Sequence, residues 1–78
     1  MEAQQPERRR RLAELLRAIR TERDVTQVAL AARLGVPQSV VSKYESGARQ
    51  IGFLEVEAVC KALGVSLQTF VRRWQTPE

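Results

Sequence analysis

Seventy-eight residues, 44% of them hydrophobic and 28% charged, make one globular domain and leave no room for a second core. A single cysteine and no histidine exclude an internal disulfide framework and any Cys/His zinc site. The formal net charge of +4 favours a polyanionic partner.

The charge is uneven along the chain. Residues 1–23 hold seven Arg against four Glu, residues 24–50 three bases against two acids, and residues 51–78 three of each. The apolar runs are far too short for a membrane span, and no signal-peptide core opens the chain. The cytoplasm of a cell without a nucleus, close to its nucleoid, is the expected address.

Residues 1–6 are polar and are expected to form a flexible tail. From Glu7 to about Arg23, Leu12, Leu15, Leu16 and Ile19 share one helical face, with arginines around the rest. Asp24 and Val25 break that pattern. Thr26 is suited to cap a second helix over 27–34, with Leu30, Ala31 and Leu34 on its buried side. A capping box would need Glu or Gln at position 29, which is alanine. Gly35 can end that helix with a positive φ.

Pro37 fits the first turn of a third helix, 37–46, which buries Val41 and Tyr44 and stops at Gly47. The spacing is that of a helix-turn-helix. Phe53, Val56, Val59, Cys60 and Leu63 mark a fourth amphipathic helix, 53–63, ended by Gly64. Ser66 can cap a fifth, 67–74, carrying Leu67, Phe70 and Trp74, and 75–78 form a tail. The predicted fold is all-α, a compact five-helix domain over 7–74.

The third helix divides its residues by face. Val41 and Tyr44 point inward, whereas Gln38, Ser39, Ser42 and Lys43 fall outward. Gln pairs with adenine, Lys with guanine and Ser with either, so these are base-reading types. Val40 lies between the faces, where an apolar side chain suits a thymine methyl. The alternative is that the polar residues simply solvate an outer face.

Taken together, Arg17–Ala–Ile–Arg20, Val25–Thr–Gln27, Leu30–Ala–Ala–Arg–Leu34–Gly–Val–Pro–Gln–Ser39, Val41–Ser–Lys–Tyr–Glu45–Ser–Gly47 and Leu63–Gly–Val–Ser66 resemble the Cro and phage-repressor (XRE) type helix-turn-helix family, over about residues 11–71. The resemblance implies a helix in the DNA major groove, with Gln38, Ser39, Val40, Ser42 and Lys43 towards base edges. It also implies that Gln27 touches a phosphate and braces that helix, and that Arg49 and Gln50 reach the backbone. Thr26 and Arg11 complete the expected phosphate set. Arg20 and Glu45 are implied to form a structural ion pair. The chain departs from the family at Val28 and Ala29, where acids are common, and at Ile51–Gly52, which replaces Pro-Ser.

Several features carry two readings. The run Arg8–Arg11 is either a phosphate contact or a solvated helix start placed awkwardly against the helix dipole. Cys60 reads as a small core residue ahead of a redox switch. Trp74 either closes the core or joins Leu67 and Val71 in a dimer contact.

The leading functional reading is a repressor that binds a palindromic operator as a homodimer, with recognition helices about 34 Å apart. Double-stranded DNA is then the partner, with no cofactor, metal or small-molecule effector evident. An antitoxin-type interaction module is the alternative, weakened because only about six residues precede helix 1 and few follow helix 5. A membrane-surface helix is a third reading, but the apolar stripe it would need is the one the core needs. No nucleophile has an adjacent base, and no glycine loop could cradle phosphate, so no enzyme is expected.

Overall fold

The computed structural model describes residues 5–76, and its helices follow the apolar periodicity. They are α1 (Pro6–Glu22), α2 (Gln27–Leu34), α3 (Gln38–Ser46), α4 (Phe53–Leu63) and α5 (Leu67–Gln75). No strand occurs among the described residues. Of the expected tails, residues 1–4 and 77–78 lie outside the described residues. Pro6 is already in the first turn of α1 and Gln75 is the last residue of α5.

Each helix end has a local cause. Thr26 and Ser66 accept hydrogen bonds from the backbone N–H groups of Ala29 and Thr69, satisfying donors that a helix start leaves open. At the α2–α3 turn Gly35 takes a φ of 71°, and the N–H groups of Gly35 and Val36 return to the Ala32 and Ala31 carbonyls at 3.2 and 3.0 Å. Pro37 stands one residue before α3, with ψ at 150°, as its cap rather than its first helical residue. After α1 the same left-handed step falls on Asp24, at φ 57°, a conformation that costs an L-residue about 1 kcal/mol or more.

One core joins all five helices: Leu16 and Ile19 of α1, Leu30 and Ala31 of α2, Val41 and Tyr44 of α3, Val56, Val59, Cys60 and Leu63 of α4, and Phe70 of α5. Val25 and Val65, in the connections, are buried with them. Helix α3 packs on α1 and α2, α2 on α4, and α4 on α5. Phe53 departs from the expected buried stripe of α4, being 64% exposed. As the first residue of the helix it projects past the end of the core beside the exposed Leu54.

Candidate nucleic-acid interface

Helix α3 is held from below by Val41, 1% exposed, and Tyr44, 7% exposed. That fixes its rotation. Gln38 and Ser42 then form one outward row at i, i+4 spacing, and Ser39 and Lys43 the next, all four exposed. Val40 is half-buried and packs against the core, which accounts for its apolar side chain.

The ion pair of Arg20 with Glu45 sits behind α3. Arg20 Nε and Nη2 donate to the two Glu45 oxygens at 2.6 and 3.0 Å, while Nη1 donates to the Val25 carbonyl at 2.7 Å. The side chains are only 10% and 4% exposed. Glu45 Oε1 also accepts from Gln27 Nε2 at 3.0 Å, and Gln27 Oε1 accepts from Gln38 Nε2 at 3.2 Å. A continuous chain of hydrogen bonds thus runs from α1 to the exposed start of α3. The first turns of α2 and α3, carrying Thr26, Gln27 and Gln38, are brought together by it.

Beyond α3, Arg49 and Gln50 are exposed in the connection to α4. The Arg49 N–H donates to the Lys43 carbonyl at 3.1 Å, and its guanidinium carbon lies 5.7 Å from the Tyr44 ring centre. Tyr44 donates its hydroxyl to Glu55 at 2.6 Å, and Glu55 accepts from the Gly52 N–H at 2.8 Å. Burial, then this bond to Glu55, pushes the Tyr44 phenol up. The Gly52 N–H, helped by the Tyr44 hydroxyl, holds the Glu55 carboxyl below its usual range. Burial raises the Cys60 thiol, which suits a core residue and opposes thiolate reactivity.

Arg11 departs from the expected phosphate set. Its guanidinium carbon lies 4.4 Å from the Trp74 ring centre, and it donates to the Trp74 and Arg73 carbonyls. The aromatic face and the carbonyls at the C-terminus of α5 attract a cation together. Arg8 lies over the same ring at 5.3 Å, so Trp74 closes onto its own chain. Arg9 turns the other way and donates to the Gly47 carbonyl at the end of α3. Val71, 38% exposed, and the partly buried Leu67 line an open groove on α5 with Gln68, Arg72 and Gln75.

Two contacts have no counterpart in the sequence pattern, the Tyr44–Glu55 bond and the Glu22–Arg73 pair. A third is the hydrogen bond from Arg33 to the Ala62 carbonyl at the end of α4. A signal for the first existed: a tyrosine at a core position needs a partner for its hydroxyl, and Glu55 stands in the first turn of the next helix.

The helix-turn-helix family model HTH_3 matches residues 16–70, the span that builds this surface and its support. The chain is 36% identical to an XRE-family like protein from Pseudomonas syringae pv. tomato, with a TM-score of 0.81 over 91% of this chain and 89% of that one. The chain belongs to the XRE-type helix-turn-helix family. This XRE-type protein is also similar to the clp gene regulator ClgR from C. glutamicum, at 29% identity and TM-score 0.79 over 94% of each chain. It shares its fold with the restriction-modification controller protein C.Esp1396I, at 24% identity and TM-score 0.80 over 86% of this chain and 87% of that one. No curated protein sequence matches it. The family and the five-helix all-α fold expected from the sequence are both found, and they make the chain a DNA-binding transcriptional regulator. No helix among the described residues is long and apolar enough to cross a membrane.

Proposed function

We propose that this XRE-type protein is a sequence-specific repressor that occupies a twofold-symmetric operator as a homodimer. In this reading α3 enters the major groove, with Gln38, Ser39, Ser42 and Lys43 towards base edges and Val40 at their margin. Thr26, Gln27, Arg49 and Gln50 lie along the phosphates. The observation that carries the reading is the exposed polar double row of α3 above the buried Val41 and Tyr44. Helices read base edges by presenting such a row, and Gln, Ser and Lys match the groove's donors and acceptors.

Dimerisation through Leu67 and Val71 is supported by their open apolar groove on α5. Trp74, whose ring carries Arg8 and Arg11, is left out of that face. Repression follows from promoter occupancy alone, in the cytoplasm, without catalysis, cofactor or small-molecule effector.

Selection of bound sites from random duplex DNA tests the reading. An inverted repeat with half-sites about one helical turn apart is expected. Lys43→Ala is expected to weaken the selected site by about 1–3 kcal/mol and to relax one base position. Uniform weakening on all sequences would make Lys43 a phosphate contact. Binding that ignores salt would refute a DNA interface.

A further inference from the structure

Arg9 stands where the apolar stripe of α1 would place another core residue. It precedes Leu12 and Ala13 at helical spacing on the face turned to α3, where Ala13 is buried and Leu12 half-buried. The stripe ends instead in an exposed guanidinium, which donates to the Gly47 carbonyl at 3.3 Å. That carbonyl stands at the C-terminal end of α3, where a helix carries about half a negative elementary charge and repels anions. Arg9 shares a small surface recess there with Gly47, Arg49 and Gln50. Its neighbours Arg8 and Arg11 turn away from that recess, to Trp74 of α5.

We propose that Arg9 is a DNA phosphate contact, and that with Arg49 it seats the backbone beside the C-terminal end of α3; the proposal rests on α3 being the groove helix. An arginine has five N–H donors, and the Gly47 carbonyl takes one of them. That bond covers the carbonyl, offsets the negative end of the helix and holds the guanidinium in place. The other donors are left for a second acceptor, and the guanidinium fork matches the oxygens of a phosphate. Without Arg9, a phosphate brought against Arg49 and Gln50 would face the negative end of α3. A phosphate contact carries no base information, so it adds affinity on every sequence.

The test measures binding of the full chain to its selected duplex and to a scrambled one across a salt series. The parent is compared with Arg9→Gln, Arg9→Lys and Arg33→Gln, with thermal melts to establish folding. A glutamine at position 9 can still donate to the Gly47 carbonyl but brings no charge. Arg33 also covers a helix end, that of α4, so Arg33→Gln removes the same charge away from α3. The log–log salt slope should shrink by about 0.9 in Arg9→Gln. Between about 200 and 50 mM salt the parent should then gain about 3.5-fold more affinity than that variant. The loss should be equal on both duplexes, and Arg9→Lys should keep the parent slope. A slope unchanged in Arg9→Gln overturns the contact: Arg9 then only caps α3, and the groove reading stands. So does a slope reduced as much by Arg33→Gln, the mark of net charge alone, or an altered base preference in Arg9→Gln. A parent that enriches no site, or whose binding ignores salt, overturns the groove reading and this proposal with it.

Discussion

Replacing Glu45 by alanine removes three hydrogen-bond acceptor contacts at once: two from Arg20 and one from Gln27. The half-buried Gln27 can turn to water. The Arg20 guanidinium cannot, because its side chain is 10% exposed and wedged between α1 and α3. Stranding one partner of a buried pair costs about 3–5 kcal/mol. Arg20 keeps its bond to the Val25 carbonyl, which places the expectation at the lower end, about 3 kcal/mol. A chain of this size has roughly 4–12 kcal/mol in total, so the loss is a large share of it. Thermal unfolding followed by circular dichroism should show Tm falling by roughly 12–24 °C. In urea the midpoint should fall without a change in slope. The double variant Arg20→Met, Glu45→Leu fills the same space without charge and should recover most of the loss. A Glu45→Ala variant that melts within a few degrees of the parent would refute the reasoning. A double variant no better than Glu45→Ala would refute it equally.

Asp24→Gly removes a side chain from a left-handed position where Asp24 is exposed; Tm should rise, by about 0.5–1 kcal/mol of stability, and a fall would show that Asp24 makes a stabilising contact. Glu55 is held below its usual 4.5, so the folded chain takes up that proton less readily than the unfolded chain. Its contribution is full above pH 4.5 and is lost as pH falls through the lower folded value; Glu55→Gln should flatten that part of a stability–pH curve, and an identical curve would sink the assignment. Arg11→Ala should lower Tm by a few degrees through the loss of its contacts to α5, with no change in the salt dependence of DNA binding. A log–log salt slope reduced by about 0.9 would return Arg11 to the phosphates.

The helices were legible because their signals are local. Thr26 and Ser66 cap, Gly35, Gly47 and Gly64 all take positive φ, and the apolar spacing names the buried faces. The double row on α3 followed from Val41 and Tyr44 by periodicity alone. What depends on the angle between helices was not legible. Nothing local to Arg8–Arg11 says that residues 8 and 11 turn towards α5 while residue 9 turns to α3. Nor does periodicity tell that Phe53 overhangs the core, since a stripe fixes direction but not where the neighbouring helix stops. Asp24 hid a left-handed step that glycine announces elsewhere.

The arginines change what the net charge means for DNA binding. Thirteen cations suggest a broad basic surface, yet five of them are held by main-chain carbonyls or carboxylates within the fold. Arg9, Arg11 and Arg33 donate to carbonyls at the C-terminal ends of α3, α5 and α4. There each cation meets the negative end of a helix dipole and carbonyls that no further turn satisfies. Arg20 and Arg73 face carboxylates. A slope near 0.9 per neutralised phosphate therefore cannot be read from composition. Lys43 and Arg49 are the cations within and just after α3, and under the proposed function the N-terminal amides of α2 would add a neutral means of holding phosphate. Under the proposed function, binding would lean on hydrogen-bond geometry at the start of α3, where the chain of hydrogen bonds from Arg20 through Glu45 and Gln27 ends at Gln38.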